Sequence, residues 1–392
     1  MEIITGISFK NIFFDHGNWW KFFIHYPASL FRKAIIINVV KMLICKTKIL
    51  GYSYYICNEC QHSVQVNHSC KSRFCSSCGK KATDQWMNTA FEELPKTTWQ
   101  HITFTMPSVY WDFFWYHRDL MNKVPKIAAD IIQKLAKQQG AIIGIYLGIH
   151  TFGRDLKRNY HLHLSTTCNG LSLDYKRWIE GIYFNHDPIK KMWRYQITKL
   201  FREEYKAGNL RLKPFKSYQE FNQLLDQEYQ KTWNVHLQKQ SNNHKQNIDY
   251  IGRYLKRPPL GETKIKSYDG KKVSYEYIDH YNNTTKTMEL SVMKFIARLI
   301  IHIHDKYFKG IRYYGFLSNR KRAELLPKVK VFLQQKKNKI IKISFRSLLM
   351  KNFGIDPSLC PHCHSTMSFV RTRFHLKINF ERIHKVVALQ KI

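Results

Sequence analysis

The first residues that could do chemistry are His161 and His163, which lie in a segment where polar and apolar residues alternate. Alternation with a period of two predicts a half-buried strand, and side chains two residues apart on a strand point to the same face. The two imidazoles would therefore project together and offer nitrogen ligands to one divalent metal ion. The chain has 19 histidines and the spacing recurs elsewhere, so a pair of ordinary strand histidines is the alternative.

A pair of tyrosines, Tyr250 and Tyr254, could supply nucleophiles. They lie in a segment that ends at Pro258 and is predicted to be helical, and side chains four residues apart on a helix share a face. Three basic residues accompany them: Arg253, Lys256 and Arg257. Paired phenols among positive charges suit attack on a phosphodiester and contact with DNA. A stacked aromatic pair in the core is the alternative.

Two Cys-x2-Cys segments, Cys57–Cys60 and Cys75–Cys78, each offer two thiolates on a tight turn. Two such segments complete a tetrahedral zinc site, and the interval between them is close to that of zinc ribbons. The four cysteines are thus predicted to hold one structural zinc ion, with a redox pair as the alternative. Cys70 and His68 lie between the segments and are further candidate ligands.

Lys71 and Arg73 make this zinc module basic, as a DNA-docking module would be, and a solvated face is the alternative. Upstream, Cys45 is predicted to be a buried thiol rather than an accessory ligand. Near the end of the chain, Cys360 and Cys363 form a third Cys-x2-Cys segment, without a clear partner segment to complete a zinc site.

The charge of the chain indicates its class of partner. Lys and Arg number 64 against 28 Asp and Glu, a formal net charge of +36. Such an excess is expected to be neutralised by a polyanion, most simply nucleic acid, with an anionic membrane as the alternative. Aromatic residues make up 15%; rings among basic side chains suit the stacking of unpaired bases, although an AT-rich genome would also enrich Lys and Tyr. No apolar run reaches transmembrane length and no secretory signal is recognisable, so a cytoplasmic, nucleoid-associated protein of bacterial type with no membrane partner is expected.

The histidine pair needs a rigid sheet around it, and the sequence predicts one. A strand over His101–Pro107, a helix over Ser108–Gln139, a strand over Ala141–His150 and the strand of His161 give an antiparallel α+β unit. His150 ends the neighbouring strand and is a candidate third metal ligand, with a histidine bonded to backbone as the alternative.

Taken in order, these features resemble the insertion sequence 91 family, the two-tyrosine transposases of the HUH endonuclease class. The resemblance covers nearly the whole chain and rests on Ser69–Cys75, His101–Pro107, His150–Gly153, His161–His163, Gly170–Leu171, Tyr250–Pro259 and Ile311–Phe316. It implies an α+β protein with an N-terminal zinc-ribbon-like domain and a Rep-like HUH nuclease core, in which helices flank a central antiparallel sheet.

The resemblance also implies a mechanism. Mg²⁺ or Mn²⁺ would be held by His161, His163 and a third ligand, either His150 or Gln246. Tyr250 or Tyr254 would attack the scissile phosphate and leave a 5′-phosphotyrosine. The partner would be the single-stranded DNA ends of an insertion sequence, moved by a rolling-circle route, and Zn²⁺ would be the structural cofactor.

Three domains are predicted: residues 1–95 as a zinc-binding, DNA-docking domain, 96–262 as the nuclease core with its tyrosine helix, and 263–392 as an α/β extension. Two other functions fit some of the features. A non-catalytic zinc-ribbon protein that coats single-stranded nucleic acid would need the charge and the zinc, but neither the histidine pair nor the tyrosine pair. A rolling-circle replication initiator would use the same chemistry without the insertion-sequence features outside the core.

Overall fold

The structure, a computed structural model, describes residues 6–210, 215, 217–255, 258–279, 282, 284–336, 344, 346–347, 350, 356–374 and 379–384; of residues 250, 251 and 253–255 it describes the backbone alone. Lys256 and Arg257, two of the predicted DNA-binding residues, lie outside the described residues. Within these ranges, no helix combines the length and the apolar character that crossing a membrane requires.

The chain mixes helices and strands, which confirms the predicted α+β class. The helices are α1 (Phe9–Phe14), α2 (Asn18–His25), α3 (Lys33–Leu43), α4 (Ser76–Glu93), α5 (Trp111–Tyr116), α6 (Leu120–Gln138), α7 (His186–Lys206), α8 (Tyr218–Gln230), α9 (His244–Leu255), α10 (Val292–Ile300) and α11 (Arg322–Phe332). The strands are β1 (Tyr52–Cys57), β2 (Ser63–Asn67), β3 (Trp99–Phe104), β4 (Ala141–Ile142), β5 (Gly144–Phe152), β6 (Arg158–Thr167), β7 (Gly170–Ser172), β8 (Trp178–Ile179), β9 (Val235–Leu237), β10 (Ile265–Tyr268), β11 (Lys272–Ile278), β12 (Thr285–Ser291), β13 (Ile311–Gly315) and β14 (Met367–Arg373).

Five antiparallel strands form the central sheet, in the order β13-β5-β6-β3-β9. The strands predicted around His101 and His161 are its β3 and β6. The strand predicted over Ala141–His150 is divided: Gly144–Phe152 is β5 of this sheet, whereas Ala141–Ile142 is β4 of the separate sheet β4-β7-β8. Apolar residues such as Ile102 and Leu164 alternate with polar neighbours along the strands, so their side chains share one face of the sheet, and that face is buried. Helices α6 and α7 pack against that face and exclude water from it.

The other face of the central sheet is polar in the middle and aromatic beside it. The histidines of β3, β5 and β6 lie there together with Tyr146, which packs with Trp86 of α4 and Ile248 of α9. Two helices, α4 and α9, therefore lie over the face that bears the histidines. Because α6 and α7 cover the apolar face of the sheet, the histidine face is the one available for chemistry.

The predicted helix over Ser108–Gln139 is wrong in one respect: it is two helices, α5 and α6, separated at His117–Asp119. Arg118 lies at the break and donates from Nε to the Asp305 carboxylate at 2.5 Å. A periodic apolar pattern cannot reveal a partner that lies so far along the chain.

Segments from both ends of the chain share packing. Helices α1–α3 share one core with β11 and α10, through residues such as Phe9, Trp19, Val273 and Phe295. Strand β14 pairs with β1 to form the three-stranded sheet β14-β1-β2. Packed groups therefore cross both predicted domain boundaries, and the three-domain division stays a prediction.

Candidate active site and metal centres

Three histidines from two neighbouring strands meet on the polar face of the central sheet. His150 of β5 lies directly opposite His161 of β6, and His163 lies opposite Gly148. The ring centroid of His150 is 5.1 Å from that of His161 and 4.4 Å from that of His163. One ring nitrogen from each of the three can be chosen so that all lie within 4.8 Å of one another. The hairpin thus brings the predicted third ligand to the predicted pair.

Hydrogen bonds fix which nitrogen of each histidine of the pair faces the shared space. His161 Nδ1 lies 2.9 Å from the Asn159 carbonyl oxygen, to which it can donate. His163 Nδ1 lies 3.0 Å from His101 Nε2. The two Nε2 atoms are then left facing each other at 3.1 Å. Two nitrogens bound about 2.1 Å from an octahedral ion at right angles would lie about 3.0 Å apart, so the spacing fits a shared metal ion.

The environment favours the neutral imidazoles that metal binding needs. Burial lowers the pKa of His163 well below its usual value, and the neighbouring His150, His161 and His101 lower it further. Burial also lowers the pKa of His101 to about 3, with a smaller effect from His236. Both rings therefore stay neutral across the physiological pH range.

A continuous chain of hydrogen bonds leads from His163 to helix α9. After the contact between His163 and His101, His101 Nδ1 lies 3.3 Å from Ser165 Oγ, and Ser165 bonds to the hydroxyl of Tyr146. Tyr146 then donates to the carbonyl oxygen of Asn247, at 2.8 Å. Every hydrogen bond in this series can be donated in the same direction, from His163 towards the helix. In that arrangement His163 and His101 each carry their hydrogen on Nδ1.

Helix α9 contains both predicted nucleophiles, Tyr250 and Tyr254. Its backbone lies over the histidine face, but the side chains of these tyrosines and of Arg253 are outside what the structure describes. A close approach to α4 helps to hold the helix in place: a Cβ atom on Gly252 would lie 2.5 Å from Met87 Cγ, so a larger residue would require the Met87 side chain to move. Gln246, the alternative third ligand, is exposed at the start of α9, and its role as a ligand stays a prediction.

The first cysteine cluster consists of Cys45, Cys70, Cys75 and Cys78. The Sγ atoms of Cys45 and Cys70 lie 3.7 and 3.6 Å from that of Cys78. Cys75 is the N-cap residue of α4 and Cys78 lies in its first turn, where the positive end of the helix dipole favours thiolates. Cys45 is therefore one of four converging thiols rather than the isolated buried thiol that the sequence predicts.

The second cysteine cluster consists of Cys57, Cys60, Cys360 and Cys363. It contains the first Cys-x2-Cys segment of the N-terminal region and the segment near the end of the chain. The ninth cysteine, Cys168, is buried and belongs to neither cluster.

The prediction that Cys57, Cys60, Cys75 and Cys78 form one zinc site is therefore wrong. Cys57 and Cys60 lie at the turn of the β1–β2 hairpin, whereas Cys70 and the residues after it follow the hairpin's base. A six-residue strand separates turn from base by roughly 17 Å, so the two segments cannot share an ion. Cys70 is a member of the first cluster, as the sequence allowed.

His68, the other additional candidate, joins neither cluster. Its ring bonds to Ser53 Oγ at 3.1 Å and approaches the Leu50 carbonyl oxygen at 3.3 Å. These contacts fasten the base of the β1–β2 hairpin, which gives His68 a structural place there.

Comparison with known proteins agrees with this geometry. A family model described as "Putative transposase" matches residues 144–324, and one described as "Transposase zinc-binding domain" matches residues 18–106. The chain is 33% identical, over 86% of its own length and 84% of the relative's, to the transposase for insertion sequence element IS801 of Pseudomonas savastanoi pv. phaseolicola. The chain belongs to the insertion sequence 91 family of transposases.

A second relative of the transposase is the protein named "Putative transposase y4qJ" of Sinorhizobium fredii, 26% identical over 72% of this chain and 74% of that protein. No solved structure gives a significant match. Family membership makes the chain a DNA-binding enzyme, and the region matched by the transposase model spans the three histidines and both tyrosines.

The zinc-binding domain of the transposase fits its cysteines. Cys45, Cys70, Cys75 and Cys78 all lie within the matched region and converge without help from elsewhere. Four buried thiols whose sulfurs all lie within 4.8 Å of one another are a donor set for zinc, and four protein ligands leave no open position for catalysis. Zinc in the first cluster is therefore structural, and it would fasten α3 to the start of α4.

Two of the predicted DNA-binding residues, Lys71 and Arg73, are exposed beside this cluster. The backbone amide of Lys71 donates to the Cys78 sulfur, which fixes where the lysine side chain leaves the surface. His101 is a residue that the sequence pattern did not single out as functional. It is the third residue of the β3 alternation Trp99-Gln100-His101, but the pattern does not tell which strand lies beside β6.

Proposed function

We propose that this transposase nicks and rejoins single-stranded DNA through a covalent link between a tyrosine and a 5′-phosphate. The observation that carries the proposal is the meeting of His150, His161 and His163 on the sheet face that α9 covers. A protein that only binds DNA has no need for three histidines whose ring nitrogens converge beneath a helix with two tyrosines.

The residues that would hold the catalytic ion are His161 and His163 through Nε2, with His150 as the third ligand. Mg²⁺ or Mn²⁺ in this place would polarise the scissile phosphate and offset the negative charge that develops in the transition state. Imidazoles are softer ligands than Mg²⁺ prefers, so oxygen atoms of water and of the DNA phosphate would complete the coordination.

In the proposed step, the hydroxyl oxygen of Tyr250 or Tyr254 attacks phosphorus. A bond forms between the tyrosine oxygen and the phosphorus, the bond from phosphorus to the 3′-oxygen breaks, and the proton lost by the phenol is balanced by one gained at the 3′-oxygen. The number of phosphoester bonds is unchanged, so the link stores the energy for rejoining and no ATP is needed. Two tyrosines allow a second cleavage before the first link is resolved.

Rolling-circle transposition follows as the proposed biological route. One strand of the insertion sequence would be released with its 5′ end held on a tyrosine, and the free 3′-hydroxyl would prime replacement synthesis. The basic, aromatic-rich composition supports a single-stranded substrate, whose bases can stack on rings.

The test uses purified transposase, Mn²⁺ and end-labelled single-stranded DNA that carries the ends of the element, analysed on a denaturing gel. A label shifted to the mass of the protein is expected, weakened by Tyr250→Phe or Tyr254→Phe and abolished by the double change. The matched control is Tyr277→Phe, because Tyr277 lies on β11 of the three-stranded sheet β10-β11-β12. This change should leave the covalent species unchanged.

Two outcomes would contradict the proposal. A covalent species that persists in the double variant would show that the nucleophile is neither Tyr250 nor Tyr254. Tight, salt-sensitive binding of cognate DNA with no covalent species at all would support a protein that coats single strands without cutting them.

A further inference from the structure

Two Cys-x2-Cys segments 300 residues apart have the same backbone geometry. In each, the amide of the first cysteine donates to the carbonyl five residues on, at 2.8 Å for both Cys57 and Cys360. In each, the amide four residues on donates back to the first cysteine's carbonyl, at 3.0 Å in both cases. The residue that donates back has a left-handed backbone, with φ of 58° at Gln61 and 59° at His364. Non-glycine residues rarely adopt this conformation, so the match indicates a shared structural demand.

The matched turns face each other and bring their thiols together. The Sγ atom of Cys57 lies 3.4 Å from that of Cys363, and the Sγ atom of Cys60 lies 3.5 Å from that of Cys360 and 3.4 Å from that of Cys363. Bonded sulfurs would be about 2.05 Å apart, so these are not disulfides. Four sulfurs about 2.3 Å from a tetrahedral zinc ion would lie about 3.8 Å apart, close to the observed spacing.

The sheet beside the thiols holds both segments in place. Strand β14 follows the second turn and pairs along the whole of β1, with Cys57 opposite Met367. Side chains add to this pairing: Ser53 Oγ lies 2.9 Å from Thr372 Oγ1, and Asn58 donates to Ser368 at 3.0 Å. The four thiols therefore lie at the end of an antiparallel strand pairing, interrupted by one register shift between Tyr54 and Tyr55, rather than at a chance surface contact.

We propose that Cys57, Cys60, Cys360 and Cys363 form a second structural zinc site, which binds the segment 356–374 to the zinc-binding domain. The first cluster already uses the other four cysteines of the region matched by that domain. Cys57 and Cys60 are left with two ligands, and the missing two come from about 300 residues further along the chain, outside the match. All four positions are filled by protein, so the site has no catalytic role.

The second site changes how the chain is connected. Its zinc ion closes a loop that contains the whole nuclease core, and binding energy at such a site becomes folding energy because the unfolded chain has no preformed site. Loss of the ion would free β14 and leave the edge of β1 unpaired, and an unpaired edge is prone to aggregation. This inference does not depend on the proposed nicking reaction.

The experiment counts zinc per chain by atomic emission, with the protein purified under reducing conditions. The full chain carries His161→Ala and His163→Ala in all samples, so that the histidine site does not contribute metal. Two zinc ions per chain are expected in this parent and one in Cys363→Ser, a change at an exposed cysteine. Cys363→His, which keeps a zinc ligand, should retain two, and so should the control Cys168→Ser.

Amide hydrogen exchange supplies the second measurement. Cys363→Ser should accelerate exchange in β14 at least tenfold, while β3 and β6 in the central sheet stay protected. One zinc ion in the parent, or two in Cys363→Ser, would overturn the proposal. If Cys363→Ser does not fold, the zinc content of the parent and of Cys363→His still decides, because both retain four ligands.

Discussion

At the scale of single residues, His101 sets the geometry of the candidate metal site without being one of its ligands. Its Nε2 lies 3.0 Å from His163 Nδ1 and so turns the other nitrogen of that ring towards His161. Partners of this kind orient metal-binding histidines, and their loss typically costs about 10- to 100-fold in metal affinity. His101 is therefore a positioning residue in the proposed site.

His101→Ala is expected to weaken Mn²⁺ binding by about 10- to 100-fold, measured by calorimetry, and to leave DNA affinity unchanged. Excess Mn²⁺ should restore cleavage. His101→Gln, whose side-chain oxygen can accept the same hydrogen, should recover part of the loss, whereas His236→Ala on the exposed part of β9 serves as control. Equal Mn²⁺ affinity in His101→Ala and the parent would show that the contact does not orient His163.

The residues that the sequence could place are those whose partners are close in the chain. His161 and His163 share a face because a strand alternates, and His150 reaches them because a short hairpin joins β5 to β6. The same reasoning from local spacing grouped the cysteines wrongly. Neighbouring Cys-x2-Cys segments suggested one site, but the β1–β2 hairpin separates them, and the true partner of Cys57 lies at Cys363. No local pattern carries that information.

At the scale of secondary-structure elements, the histidine strands and helix α9 are joined by Tyr146. Its hydroxyl donates to the Asn247 carbonyl in the first turn of α9, at 2.8 Å, and receives the hydrogen-bond chain that starts at His163. The Tyr146 hydroxyl is therefore a direct hydrogen-bonded link between the metal ligands and the tyrosine-bearing helix, beside the packing of that helix on α4. Replacing that phenol should affect chemistry more than binding.

Tyr146→Phe is expected to lower the rate of covalent DNA attachment about fivefold with little change in DNA affinity, since about 1 kcal/mol of hydrogen bonding is lost and α9 is less firmly placed. Tyr313→Phe is the matched control. Tyr313 lies opposite Tyr146 on β13, and its hydroxyl accepts a hydrogen bond from Trp86 of α4 instead. Single-turnover assays should separate the two variants; equal rates would deny Tyr146 this role.

Individual helices and strands could be predicted where the periodic pattern of apolar residues within one segment determines them. The strands β3, β5 and β6 follow from alternation and apolar runs in the sequence. The order in which they pair, the break between α5 and α6 at Arg118, and the pairing of β14 with β1 depend on contacts with residues such as Asp305 and Thr372. Those contacts join segments far apart in the chain, so no periodic pattern reports them.

At the scale of the whole molecule, helix α4 links the zinc-binding domain to the candidate active site. Its first turn carries Cys75 and Cys78 of the first cluster, and its middle packs against α9 through Met87 at Gly252. Near its end, the Phe91 carbonyl accepts a hydrogen bond from His244, the first residue of α9. Structural zinc would thus support the proposed catalysis indirectly, because it would fix the helix on which α9 rests.

The charge of +36 also belongs to the whole molecule, and salt dependence can locate the part of it that meets DNA. Each phosphate neutralised on single-stranded DNA contributes about −0.7 to the slope of log affinity against log salt. If Lys71 and Arg73 dock DNA, the double change to Gln should reduce the slope by about 1.4. The matched control is Lys126→Gln with Lys134→Gln, two exposed positions on α6, which covers the face of the sheet away from the histidines. An unchanged slope in the first variant, or an equal reduction in the control, would mean that the basic residues beside the first zinc cluster are only a solvated surface.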